Sequence, residues 1–174
     1  MRWRVFMLGE RLRHQIEQLI ANYSRRLRSD PVTTVAKNLP APLVEDHAMS
    51  YFGDLFQTLV VLEKSDDLKG REESALLTDG SQIQRLISEL HGRQRHQLGW
   101  TEEALHREYE IMDEEVVALV TRHEPDRDVA EKVPWAIDTL KRMLKAAHDA
   151  SFNGYQAAAK EVAARTRAER AFRG

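Results

Sequence analysis

The sequence predicts an all-α fold, either globin-like or an antiparallel helical bundle of about five main helices. Apolar side chains recur three or four residues apart along most of the chain, which is the spacing of helices with one buried face. Proline, glycine or polar runs separate these segments, and no segment alternates apolar and polar residues as a strand would. The 174 residues suffice for one domain with one core.

The first predicted helix covers residues 3–28 and ends before Pro31, because proline disfavours helical backbone at the preceding residue. Its apolar stripe consists of Leu8, Leu12, Ile16, Leu19, Tyr23 and Leu27. A second helix begins near Ala41 or Pro42, since proline is tolerated in a first turn. Its stripe consists of Leu43, His47, Tyr51, Leu55, Leu59 and Leu62. The polar run at 64–74 predicts a loop, followed by a short helical fragment at 75–77.

The third and fourth predicted helices meet at a short turn. The third begins at Gly80-Ser81, with Ser81 as its cap, and ends at Gly99. Its predicted buried stripe consists of Ile83, Leu86, Ile87, Leu90 and Leu98. Thr101 caps the fourth helix, which ends near residues 124–126. The stripe of the fourth helix consists of Leu105, Tyr109, Met112, Val116 and Leu119.

The fifth predicted helix begins near Asp128 or Pro134 and has heptad spacing. Its stripe consists of Val133, Ile137, Leu140, Leu144, Ala147 and Ser151. Asn153-Gly154 is a turn signal, so continuation of the helix through it stays open. We therefore divide the chain into a helical domain, residues 1–152, and a connector helix or tail, residues 153–174.

Composition and charge exclude several classes of protein. The chain has no cysteine, and no apolar run approaches the roughly 18 residues of a membrane span. The first apolar stretch is too short for a signal peptide, so we expect a cytoplasmic protein without membrane insertion. Residues 1–28 and 160–174 together carry +8, against −10 for the middle. We interpret these basic ends as solvated helix faces, with contact to an acidic partner or an anionic surface as the alternative.

The motifs of catalysis, metal binding and nucleic-acid recognition are not found. Glu103 and His106 form a single Glu-x-x-His spacing, whereas a di-iron bundle needs two. Gly-x-Ser-x-Gly is missing, and the glycines are too scattered for a phosphate loop. The helix after Gly99 is rich in glutamate and would repel phosphate. We expect no catalytic residue, no metal ion and no nucleic-acid partner.

The stretch HGRQRHQLGW, residues 91–100, holds the main candidate site. His91 borders the predicted buried stripe of the third helix. Gly92 inside a helix costs about 1 kcal/mol relative to alanine, so it indicates a close helix crossing or room for a ligand. Either His91 is hydrogen-bonded within the packed interior, or a neutral imidazole binds haem iron there.

Together with Asp46-His47, the segment LHGRQRHQLGWTEEALHREYEIM at 90–112 resembles the N-terminal sensor domain of RsbR-type stressosome co-antagonists. A similar domain precedes some bacterial histidine kinases. The resemblance covers most of residues 10–150. The residues that carry its motif in the third and fourth helices are His91, Gly92, Arg95, Gly99, Leu105, Glu108 and Tyr109.

This resemblance implies a non-catalytic, globin-like sensor domain, usually a homodimer, that passes a signal to a partner protein or a fused output domain. The signalling and structural cluster that it implies comprises His47, His91, Gly92, Arg95, Gly99, Glu108 and Tyr109. Within this cluster we expect Arg95 and Glu108 to form an ion pair across the turn between the third and fourth helices.

The same stretch is similar to the sensor globins that bind haem. In those proteins the haem-binding histidine lies four residues before the glycine that Gly99 matches, and here that position is Arg95. A guanidinium stays protonated and cannot bind iron, and His96 lies about 100° further around the helix. We therefore expect no cofactor. A haem-binding gas sensor that uses His91 or His96 is the alternative.

Overall fold

The computed structural model describes residues 7–45, 48–64 and 70–172, and the side chains in these ranges except those of residues 70–81. The regular structure in these ranges is helical, without a strand, which confirms the predicted all-α fold. The α-helices are α1 (Leu8–Arg13), α2 (Ile16–Ser29), α3 (Ala41–Glu45), α4 (Ala48–Lys64), α5 (Gly70–Gln97), α6 (Glu102–Thr121) and α7 (Val133–Phe172). Two short 3-10 helices cover Thr34–Asn38 and Ala130–Lys132.

The first predicted helix is two helices, so the prediction of one continuous helix was wrong at His14-Gln15. The backbone N–H of Gln15 donates to the carbonyl of Leu12 at 2.9 Å, a three-residue turn that interrupts the helical ladder. The backbone angles at His14 stay close to helical values, so the apolar stripe keeps its register. All six residues predicted for that stripe are buried.

Helix α5 begins at Gly70, so the predicted start at Gly80-Ser81, the cap at Ser81 and the loop beyond Gly70 were wrong. The predicted fragment at 75–77 is part of this helix. One internal glycine costs a helix about 1 kcal/mol. Among the described residues, α5 packs most extensively on α7, which stabilises the helix against that cost.

The predicted buried stripe of α5 was wrong at three of its five residues, since only Ile87 and Leu98 are partly buried. Ile83, Leu86 and Leu90 are 66%, 58% and 52% exposed. The side of α5 that faces the core instead carries Ser88, His91, Gly92 and Arg95. Apolar spacing identified the wrong face because the buried face is made of small and polar residues, which depend on hydrogen bonds and close backbone contact.

Helix α7 continues through Asn153-Gly154, which settles the question left open by the sequence, and it runs without a break past the boundary proposed after residue 152. Two glycines bring α5 and α7 into backbone contact. A Cβ on Gly92 would lie 1.8 Å from the carbonyl oxygen of Ser151, and a Cβ on Gly154 would lie 2.0 Å from that of Glu89. Of the two interpretations of Gly92, the structure shows the close helix crossing.

The predicted turn between α5 and α6 is confirmed. Gly99 has a φ of 81°, the left-handed conformation that glycine adopts at little cost. The hydroxyl of Thr101 accepts a hydrogen bond from the backbone N–H of Ala104 at 3.1 Å and so caps α6. The five predicted stripe residues of α6 are buried. None of the described helices is long and apolar enough to cross a membrane.

Candidate functional site

The centre of the candidate site is the carboxylate of Glu108, which is fully buried on α6. Arg95 donates to it from Nη2 at 2.7 Å and from Nε at 3.1 Å. The Tyr23 hydroxyl donates to Oε1 at 2.5 Å, and His91 Nε2 lies 3.1 Å from Oε2. The ion pair expected between Arg95 and Glu108 is therefore confirmed. We call Tyr23, His91, Arg95 and Glu108 the Glu108 cluster.

Arg95 connects this cluster to a third part of the chain. Its Nη1 donates to the carbonyl of Leu43 at 2.6 Å, and its Nη2 donates to the carbonyl of Val44 at 2.8 Å. Both carbonyls belong to the last turn of α3, where helical partners are lacking. The guanidinium also lies over the ring of Trp100, 4.6 Å from its centroid. One side chain thus holds α3, α5, α6 and the turn between them.

Local structure explains why these side chains converge. His91 and Arg95 are four residues apart, so they lie on one face of α5. The turn at Gly99 reverses the chain and places α6 beside that face. Tyr23 extends from the buried stripe of α2, where a buried hydroxyl requires a hydrogen-bond partner. The Glu108 carboxylate supplies that partner.

The electrostatics keep the cluster charged. Burial alone raises the pKa of Glu108, but the charges and hydrogen bonds of Arg95 and His91 outweigh it and hold that pKa well below its ordinary value of 4.5. Burial, and then the Glu108 charge, raise the pKa of Tyr23 well above its ordinary value of 10.0. The carboxylate therefore stays an acceptor and the phenol stays a donor across the physiological pH range.

A cavity of about 20 Å³ lies beside the cluster, among residues that include Tyr23, Tyr51, Ser88, His91 and Tyr109. It has room for about one water molecule. The hydroxyl of Tyr51 is buried and has no hydrogen-bond partner among the described residues. Any larger ligand at this place would have to separate the helices that carry these side chains.

The remaining predicted site residues do not contact the Glu108 carboxylate. The Tyr109 ring meets the His91 ring edge to face, with centroids 6.2 Å apart. Gly92 forms the crossing with α7, and Gly99 forms the turn after α5. The His96 ring contacts Tyr155 instead, at 5.0 Å. His47 lies outside the described residues.

Sequence reasoning missed Tyr23 and Trp100 as members of this site. Tyr23 was assigned only to the apolar stripe of the first predicted helix, although its hydroxyl was a signal that a polar partner faces that stripe. Trp100 was read only as part of a helix end. The described residues contain no group of three or more His, Asp or Glu side chains that could hold a metal ion.

Comparison of the chain with protein-family models, with curated proteins and with solved structures gave no match in any of the three. The interpretation of this site therefore depends on its own geometry.

Proposed function

We propose that this chain is a non-catalytic regulatory domain of bacterial signal transduction, a sensor that acts through protein–protein contacts. The observation that carries the proposal is the Glu108 cluster, with its fully buried ion pair. Such a pair is a poor way to gain stability, because apolar side chains of similar volume are often as stabilising or more so. A buried charge cluster is better suited to specifying one of two helix arrangements.

The cluster has the properties of a switch element. It joins α2, α3, α5 and α6 through hydrogen bonds that share the charged side chains of Arg95 and Glu108. Removing one partner leaves a buried charge uncompensated, at a cost of about 3–5 kcal/mol. Interfaces and cores of this kind change between discrete arrangements rather than deform gradually. A signal that shifts α3 or α5 would thus be passed to α6 and α7.

Two exposed surfaces are available for output. One is the apolar stripe of Ile83, Leu86 and Leu90 on α5, which we assign to a second copy of the chain. The other is α7 from residue 161 to residue 172, where all side chains are exposed. In this proposal the domain is a homodimer, and the end of α7 leads to a signalling partner or a fused output domain, as in stressosome or histidine-kinase input domains.

The site geometry favours this function over haem binding. His91 is engaged with Glu108, the adjacent cavity holds about one water molecule, and His96 is packed against Tyr155. An absorption spectrum of the protein expressed with haem supplied tests whether the chain binds haem. The proposal predicts no Soret band. A band that shifts on reduction and with carbon monoxide would make the protein a gas sensor.

Sedimentation of the full chain over a wide concentration range tests the contact surface. We expect a dimer for the wild type and a monomer for Leu86→Arg, with helicity unchanged because Leu86 is exposed in the single chain. Gln18→Arg is the matched control, since it adds the same charge at an exposed position of α2, away from the stripe on α5. A monomeric wild type, or a Leu86→Arg protein that still forms dimers, contradicts the proposed surface.

A further inference from the structure

A second pair of facing side chains lies outside the Glu108 cluster, where α6 packs against α7. His106 Nδ1 and His148 Nε2 are 2.6 Å apart, which is hydrogen-bond distance. The two rings lie nearly edge to face, with centroids 4.8 Å apart. Both residues are only partly exposed. We call them the histidine pair.

The pair can hold one proton between its facing nitrogen atoms but not two. With both rings neutral, one nitrogen carries a hydrogen and donates to the lone pair of the other. A first added proton leaves this arrangement possible, since an imidazolium can donate to a neutral imidazole. A second proton places a hydrogen on both facing nitrogen atoms and two positive charges side by side, so the rings must separate. The two facing nitrogen atoms therefore do not bind protons independently of each other.

The charged groups that act on His148 are already paired with other side chains. On α7, Lys145 opposes protonation of His148 and Asp149 favours it, but these two already pair with each other at 2.8 Å. On α6, Glu110 favours protonation, but it is paired with Arg107 at 2.8 Å.

One aromatic ring packs against the pair on the α7 side. Phe152 lies against the His106 ring, with centroids 4.9 Å apart. Burial first, and then His106, lower the pKa of His148 below its ordinary value of 6.5.

The pair is connected to the Glu108 cluster by one ring. Tyr109 contacts His148, with centroids 5.0 Å apart, and on its other side it contacts His91 of α5 at 6.2 Å. A movement of α7 away from α6 at His148 therefore changes the packing around His91, which lies 3.1 Å from the Glu108 carboxylate.

We propose that the histidine pair is a proton-binding site that holds α6 on α7 while at most one ring is charged and releases α7 when both are charged. The bound ligand is the proton, and acidification is the signal that the site reads. The inference stands on the facing nitrogen atoms and does not need the sensor role proposed above.

A double-mutant cycle in the full chain tests this inference. His106→Asn and His148→Gln keep a nitrogen near each facing position but cannot gain a charge, and their double variant completes the cycle. The coupling between the two positions, obtained from the free energies of unfolding, should be favourable at about pH 7.5. Expressed as an equilibrium constant, it should fall about tenfold by about pH 5.5, which is the change that one unit of pKa produces.

His123→Gln is the matched control, because burial also lowers the pKa of His123, which contacts Gln15 and not the pair. The effect of His123→Gln on stability should be the same whether or not His148 is also substituted. NMR titration of the wild-type rings adds a readout that needs no variant, and it should show two separated, mutually dependent steps for His106 and His148. Coupling that does not change with pH, or two independent single-site titrations, would overturn the proposal.

Discussion

Two glutamates are buried among the residues whose side chains the structure describes, and they are held in opposite ways. Glu63 at the end of α4 accepts backbone N–H groups from Leu8 at 3.0 Å and from Gly9 at 2.8 Å, and Lys132 lies 3.4 Å away. Glu108 is instead held by side chains from other helices. Backbone donors stay in place whatever the charge of the acceptor, whereas Arg95 is a buried cation that needs a counter-charge. Glu63 thus attaches one short helix, while Glu108 maintains an arrangement of several.

Substitution of each glutamate by glutamine tests this difference most directly. Glu108→Gln should lower the free energy of unfolding by about 3–5 kcal/mol, because Arg95 loses its buried counter-charge. Glu63→Gln should cost about 1–2 kcal/mol, since a carbonyl oxygen can still accept a backbone N–H and Lys132 can turn to solvent. Urea unfolding at neutral pH measures both. Equal losses would remove the distinction between the two sites.

The acid dependence of stability separates Glu108→Gln from the wild type. The pKa of Glu108 is lowered in the folded state, so its contribution is present above the ordinary value of 4.5 and is lost as the pH falls below it. The wild type should therefore lose stability below about pH 4.5, and Glu108→Gln should lose less over that range. Parallel acid curves for the wild type and Glu108→Gln would contradict the assigned charge state.

Two closely packed glycines sharpen the comparison: Gly9, which donates to Glu63, and Gly92, which is next to His91 on α5. A Cβ on Gly92 would lie 1.8 Å from a backbone oxygen, whereas a Cβ on Gly9 would lie 2.7 Å from a methyl group and 2.8 Å from the backbone nitrogen of Val60. Gly92→Ala should cost about 2–3 kcal/mol and Gly9→Ala about 1–2 kcal/mol, because the overlap with backbone is deeper at Gly92. Thermal unfolding ranks the two, and the reverse order would count against the α5–α7 crossing.

Substitution of two tyrosines, one in the Glu108 cluster and one beside it, gives the smallest expected effects. Tyr23→Phe removes one donor from the Glu108 carboxylate and should cost about 1.5–2 kcal/mol, because Arg95 and His91 remain. Tyr51→Phe should change stability by less than about 0.5 kcal/mol, since the Tyr51 hydroxyl has no partner among the described residues. Chemical denaturation of the two variants in parallel measures the two losses of stability. Similar losses would mean that the Tyr23 contact is not specific.

The sequence predicted the parts of the fold that depend on apolar spacing. The stripes of α2 and α6 and the turn at Gly99 are as predicted, because burial of leucine, valine and aromatic side chains forms them. The stripe of α5 was assigned to the wrong face. Its buried face holds Arg95 and His91, and a charged residue reads as exposed until its partner is known.

Much of the Glu108 cluster was also predicted, because His91, Arg95 and Glu108 lie within one continuous stretch. The contribution of Tyr23 was not, since it comes from 85 residues away in the chain. The same holds for the histidine pair, whose members are 42 residues apart and share no local spacing. Contacts between distant segments depend on the packing of whole helices, which residue spacing does not encode.

Amide hydrogen exchange of Glu108→Gln against Glu63→Gln tests most directly whether the Glu108 cluster controls a discrete arrangement of helices. We expect Glu108→Gln to lose protection against exchange in the last turns of α5, in α3 and in the part of α7 around Ser151. Helices α1 and α4 should stay protected. Glu63→Gln should lose protection at α1 alone. Uniform loss over the whole chain in Glu108→Gln, or no local change at all, would show that the cluster is ordinary core and contradict its role as a switch.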